Sequence, residues 1–253
     1  MNPRLILKNV LARLAKRAIK KHKMELVVIL GLNGTEIIKE LTYSILAPNH
    51  KVRRVINKPW WDLSIPLSIL GYKDKKRNPF QWMYLIIKSY LYLFFGPKNS
   101  GILILNMNYS HTDTMNFWAK FINPDILILA NYKNSTPEID KFIQNTRDNK
   151  GKIIIKEGSK INTDSKTFVV GQSRHNNLQT INTATELKLV YKKEKQTVPR
   201  SALTLLPTEA FELAIALGLL YNMTLEETTY YSLKFDLPAV LSKIKNNLYK
   251  GEY

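Results

Sequence analysis

The chain has 253 residues, enough for one large domain or two small ones, and its 45% apolar and 10% aromatic content excludes wholesale disorder. Lysine and arginine total 38 against 20 acids, a net charge of +18 that points to an anionic partner such as a membrane surface, nucleic acid or a phosphorylated ligand. With 29 Lys to 9 Arg and 25 Ile, however, the balance also suits an AT-rich source, while the absence of cysteine excludes disulfides, thiolate metal sites and a cysteine nucleophile.

Residues 4–23 read as a helix. Leu7, Val10, Leu11, Leu14 and Ala18 form one apolar stripe, and Arg13, Lys16, Arg17 and Lys20 form the opposite face. Eight basic residues and no acid precede Glu25. Such a helix either docks its stripe on a core or lies on an anionic membrane, and the Leu/Ala stripe without a Trp or Phe anchor favours the core.

Leu26–Leu30 is a continuous apolar run, the mark of a strand buried on both faces. It leads into the turn Gly31-Leu32-Asn33-Gly34 and a helix over Thr35–Leu46, the strand–glycine turn–helix opening of a nucleotide-binding α/β domain. Phe80–Phe95 is apolar almost all round but is 16 residues long with Lys88 inside it. That is short for a membrane span, and it reads as a buried or lipid-facing helix. Its aromatics, with Trp60 and Trp61, are read half as core and half as a candidate stacking or membrane-anchoring surface.

Further apolar runs at Gly101–Leu105, Asp125–Ala130, Lys152–Ile155 and Thr167–Val170 predict strands, with a helix over Thr112–Phe121. Residues 133–150 are polar and predict a short helix with loops, and Ala184–Tyr191 alternates as an edge strand or hairpin. Thr208–Tyr221 is a strong helix, and Thr224-Leu225-Glu226-Glu227 predicts a capped start for another. Alternating strands and helices predict a three-layer α/β sandwich around a mostly parallel sheet. The four histidines lie far apart without metal-binding spacing, and the adjacent Ser110-His111-Thr112-Asp113 read as a turn capping a helix rather than a relay.

Four segments together resemble the central, ATPase-type domain of the Mur ligases, most closely the branch that joins D-alanyl-D-alanine to a UDP-muramoyl tripeptide. Leu26–Leu41 resembles that family's strand and phosphate loop, and Lys51–Gly71 its segment ending in Pro-Leu. Ile102–Asn131 resembles its strand–helix–strand unit with Pro-Asp, and Val198–Leu225 its last motif and alanine-rich helix. The resemblance implies a division into a basic helix (1–24), a Mur-ligase-like central domain (25–238) and a basic tail (239–253). It also implies that the family's UDP-sugar and amino-acid domains are missing.

A phosphate loop holds its ligand through glycine-permitted backbone amides at a helix N-terminus, one lysine on the phosphates and one hydroxyl on magnesium. On the resemblance, Gly31, Leu32, Asn33, Gly34 and Thr35 are the relic of that loop, with Thr35 at the lysine position and Glu36 at the magnesium-binding threonine position. A glutamate there repels a triphosphate, and Lys39 one turn along is expected to face elsewhere. Asn106 stands at the metal-binding glutamate, Ala202-Leu203 at a His-Asn pair, Leu206 near the adenine-facing asparagine, and Trp60-Trp61 at paired asparagines. Lys141 is a poor match for the lysine that is carbamylated in the family.

The expectation is therefore an inactive relative (a pseudoenzyme) of the enzymes of peptidoglycan biosynthesis, with no catalytic residue, no metal and no cofactor beyond weak residual ATP or magnesium binding. It is expected to be cytoplasmic and to act as an interaction or regulatory module whose partner is a protein such as a cell-wall ligase. An anionic membrane surface on the inner face, reached through residues 4–23, is a further partner, ahead of nucleic acid. The alternatives are a residual nucleotide or phosphate binder, and a basic peripheral membrane or nucleic-acid protein on the same scaffold.

Overall fold

The computed structural model describes residues 3–55, 63–73, 77–96, 100–108, 112–132, 136–203 and 206–235. Trp60-Trp61, Ser110-His111 and the tail from Asp236 onward lie outside the described residues. The basic N-terminal segment forms α1 (Pro3–His22), which buries Leu11, Ala12, Leu14, Ala15 and Ala18 and leaves Arg13, Lys16, Arg17 and Lys20 in solvent. Its stripe is rotated slightly from the predicted one, with Leu7 and Val10 only half-buried at the margin.

β1 (Met24–Gly31) and α2 (Thr35–Leu46) follow with the predicted boundaries almost unchanged. The strand lacks polar alternation because both faces are covered. Val27 and Ile29 pack with Ile38, Leu41 and Ile45 of α2, while Leu26, Val28 and Leu30 pack with Leu14, Ala15 and Ala18 of α1. Next come β2 (Val52–Arg54), α3 (Ser64–Ile69), α4 (Pro79–Phe95), β3 (Gly101–Asn108), α5 (Thr112–Trp118), β4 (Ile126–Leu129), α6 (Pro137–Asp148), β5 (Lys152–Lys156) and β6 (Thr167–Gly171). The chain continues through β7 (Leu178–Asn182), β8 (Glu186–Tyr191), β9 (Glu194–Pro199), a 3-10 turn at Arg200–Leu203, α7 (Thr208–Leu220) and α8 (Leu225–Leu233).

The nine strands form one sheet in the order β2-β3-β1-β4-β5-β6-β7-β8-β9, parallel from β2 to β7 and antiparallel at β8 and β9. Apolar residues of α2, α7 and α8 share a core with one face of the sheet, and those of α1, α3, α5 and α6 share a core with the other. This is the three-layer sandwich that the alternating elements predict.

Of the two alternatives for Ala184–Tyr191, the hairpin forms and the edge strand does not: β8 pairs antiparallel with β7 and with β9, which lies outside it with Val198 opposite Leu187. β9 is mostly Glu, Lys, Gln and Thr, and only Val198 is buried, so it carries no apolar signature of its own. Of the two alternatives for the segment 80–95, buried or lipid-facing, the structure overturns the buried one, and its shortness for a membrane span stands. Only Leu85, Ser89 and Leu93 of α4 are buried, and among the described residues no helix is long and apolar enough to cross a membrane. The predicted cap of α8 forms as a reciprocal box, with the Glu227 amide donating to Thr224 Oγ1 at 3.1 Å and the Thr224 amide to Glu227 Oε2 at 2.9 Å.

Candidate functional site at the turn after the first strand

In a parallel sheet, the crevice for ligands opens at the carboxyl ends of strands whose connections leave to opposite faces. β1 leads into α2 on one face, while its two neighbours β3 and β4 lead into α5 and α6 on the other. Gly31-Leu32-Asn33-Gly34 sits at that point, flanked by the ends of both neighbours. Asn108 Nδ2 donates to the Leu32 carbonyl at 2.8 Å, and Asn131 Nδ2 to the Asn33 carbonyl at 3.1 Å. The Asn131 amide donates in turn to Glu209 Oε1 at the start of α7, at 2.7 Å.

Glycine is required at both ends of the turn for different reasons. A side chain at Gly31 would stand 2.8 Å from Thr35 Cγ2 and 3.1 Å from Ala130 Cβ, whereas Gly34 adopts φ +76°, a left-handed conformation that glycine holds at least cost. Gly34 also caps α2 without a side-chain hydrogen bond, so the first-turn amides of the helix are left to other acceptors. Thr35 is buried with its methyl against Gly31. Leu32 and Asn33 are exposed.

The next residue departs most from a metal-assisted phosphate site. Glu36 Oε2 accepts from Asn106 Nδ2 at 2.7 Å, and Glu36 Oε1 is ion-paired with the Lys39 ammonium. Lys39 is 1% exposed, and its ammonium also donates to the Val55 carbonyl at 2.7 Å and lies 3.4 Å from Glu40. Lys39 therefore does not face elsewhere, as helical spacing suggested: its long stem folds back into the site. The chain of charge continues outward through Glu40 to Arg54 at 3.0 Å, whose guanidinium stacks 3.6 Å from the Tyr43 ring centre. Glu36 is thus neutralised rather than free to repel. The two side chains aligned with magnesium-binding positions do meet in space, as a glutamate and an asparagine bound to an internal cation. Asn106 is itself buried, and its Oδ1 has no partner among the described residues.

The remaining aligned residues do not gather here. Lys141 is on the surface between α5 and α6, donating to Asn116 Oδ1 at 2.9 Å, with Asn116 donating to Glu138 at 3.0 Å. Ala202 is exposed and Leu203 buried, while Leu206 packs against the α7 core. Asp125 has a structural task, accepting from the Leu26 amide at 2.8 Å and from Asn149 at 3.0 Å at the start of β1 and β4.

Asn108, Asn131 and the ion pair of half-exposed Lys156 with buried Glu212 escaped the sequence reading. Each stands at or just past the carboxyl end of a parallel strand or on the facing helix α7. A polar residue that directly follows an apolar strand run was the available signal.

No protein-family profile and no curated protein sequence matches this chain. Solved structures match its fold. MurF from Acinetobacter baumannii superposes with a TM-score of 0.64 at 12% identity, over 93% of this chain and 51% of that one. MurF from Thermotoga maritima, solved in complex with ADP, gives 0.58 at 14% identity over 90% of this chain and 52% of that one. A pseudomurein peptide ligase type C from Methanothermus fervidus gives 0.53 at 11% identity over 85% and 50%. The fold is Mur-ligase-like, and this chain spans about half the length of the structures it matches.

Proposed function

We propose that this Mur-ligase-like chain is a catalytically inactive module, acting by interaction or regulation in cell-wall precursor synthesis, with a protein partner such as a ligase of that synthesis. The observation that carries this reading is the Glu36–Lys39–Asn106 cluster. Phosphoryl transfer is almost wholly positioning and charge stabilisation, with a divalent cation carrying much of it. Here Glu36, the carboxylate at the magnesium-ligand position, is committed to a buried ammonium, Thr35 brings no cation to the phosphates, and Asn106 brings no anion to a metal. A divalent ion would have to displace Lys39 from Glu36 and from the Val55 carbonyl together.

The test is calorimetric titration of the purified chain with ATP, with and without magnesium, alongside a phosphate-release assay. The expected result is no hydrolysis and no magnesium-dependent binding. Magnesium-dependent turnover by the unmodified chain refutes the reading. One observation favours a second reading, residual anion binding: the uncapped N-terminus of α2 behind Gly34. It predicts weak phosphate binding that magnesium does not strengthen and that Gly34→Val removes.

A further inference from the structure

Helix α4 is built to stand out of the protein. Its start is fixed by Pro79 and by a reciprocal box, the Gln81 amide donating to Asn78 Oδ1 at 2.8 Å and the Asn78 amide to Gln81 Oε1 at 3.2 Å. Only the ridge Leu85, Ser89 and Leu93 faces inward. The opposite ridge runs through Phe80, Tyr84, Ile87, Leu91 and Phe94, spaced i, i+4, i+7, i+11 and i+14. It is 76%, 66%, 51%, 55% and 71% exposed, and Phe95 at its end is 85% exposed. A continuous apolar stripe of about 20 Å, about four turns of helix with no charge on it, is far from the scattered apolar residues of an ordinary surface.

The charge beside this stripe says what covers it. α1 packs along α4: Arg17 Nη1 donates to the Tyr90 hydroxyl at 3.2 Å, and Lys21 donates to the Leu93 carbonyl. Arg13 and Lys20 lie one turn either side of Arg17 on the same ridge of α1, and both are exposed, as is Lys16 beside them. No acid occurs before Glu25, and none occurs between Asp74 and Asp113. A second copy of the chain would bring two cationic rims together with no carboxylate to offset either.

We propose that the outer ridge of α4 and the exposed basic ridge of α1 form one docking surface for an anionic lipid bilayer. The apolar ridge inserts to the depth of the headgroup–acyl boundary, parallel to the membrane plane, with Tyr84 and Tyr90 at headgroup level and Arg13, Lys16 and Lys20 on the phosphates. The surface is independent of the turn after β1, so its test does not depend on the nucleotide reading.

The test is flotation of the full chain with phosphatidylcholine vesicles, with and without phosphatidylglycerol, at low and high salt. Two variants accompany it: Ile87→Ser with Phe94→Ser, and Arg13→Gln with Lys16→Gln and Lys20→Gln. All five side chains point to solvent, so unchanged thermal melting is expected and checks the fold. The expected result is binding to anionic vesicles only, weakened about tenfold or more by the apolar pair and on the order of a hundredfold by the three charge removals or by high salt. Equal binding to neutral vesicles, or no binding to either, overturns the proposal. So does a sedimentation-equilibrium dimer that the apolar pair dissolves, since it assigns the ridge to a second copy.

Discussion

Lys39 exchanges one kind of chemistry for another: its ammonium stands between Glu36 and the Val55 carbonyl, next to the buried Asn106 amide. Replacing it with Met keeps the packed stem but leaves the Val55 carbonyl without that donor and Glu36 without its cation. Lys39→Met is therefore expected to cost about 1–3 kcal/mol in urea unfolding, while Glu36→Gln, which keeps one acceptor oxygen for Lys39 and offers its NH2 to Asn106 Oδ1 once that amide flips, should cost less. The glycine turn was readable from its spacing, but this exchange was not. Helical spacing places residue 39 a full turn beyond the loop, and only the packed stem brings its charge back. His22 gives a second residue-level test. Burial, with Lys21 and Arg53 nearby, lowers its pKa from the usual 6.5, against the pull of the helix C-terminus it sits on. The folded state thus favours neutral His22. Its contribution is fully present above pH 6.5 and is lost as pH falls through that value towards the lowered one. Thermal melting of the parent should drop across this window, and His22→Gln should flatten that drop.

Elements were readable where their pattern reflects burial on both faces or an amphipathic stripe. β1, β3, β4, β5 and β6 announced themselves as apolar runs because helices cover them on both sides. β2 and β9 did not, because three half-buried residues or a single buried Val198 leave no periodicity to count. α1 left two readings open in the sequence, since a Leu/Ala stripe behind a basic face suits either a core or a membrane. Its packing with β1 makes the stripe core, and its exposed ridge stays available beside α4. Leu14→Ala should accordingly cost about 2–5 kcal/mol by denaturant titration, whereas Lys16→Gln should stay within about 0.5 kcal/mol. The close approach of α7 to α8 gives a parallel case. A side chain at Gly218 would meet Thr228 Cγ2 at 2.4 Å and Ile45 Cγ2 at 2.9 Å, so Gly218→Val is expected to cost about 1–3 kcal/mol by forcing α7 from α8 and α2.

At the scale of the whole molecule, fold and charge are set by different residues. Two apolar layers, one on each face of the nine-stranded sheet, account for the architecture, and the site cluster belongs to neither. The Mur-ligase-like fold can therefore persist whatever stands at Thr35, Glu36 and Asn106. Net charge works in the other direction. Twenty acids can neutralise at most 20 of 38 basic side chains, so the compact state carries an uncompensated positive excess that repels itself. Surface ion pairs such as Lys188–Glu186, at 2.8 Å, contribute little to offset it. Screening by sodium chloride should therefore raise the melting temperature of the intact chain. Most of the rise should come below about 0.3 M, where the Debye length has already shortened to well under 10 Å. Scanning calorimetry across a salt series reads this directly. A melting temperature that falls over the same range would mean that attractive pairs, not repulsion, dominate the surface. The same screening acts with opposite sign on vesicle binding, so added salt is expected to stabilise the free protein while releasing it from the membrane.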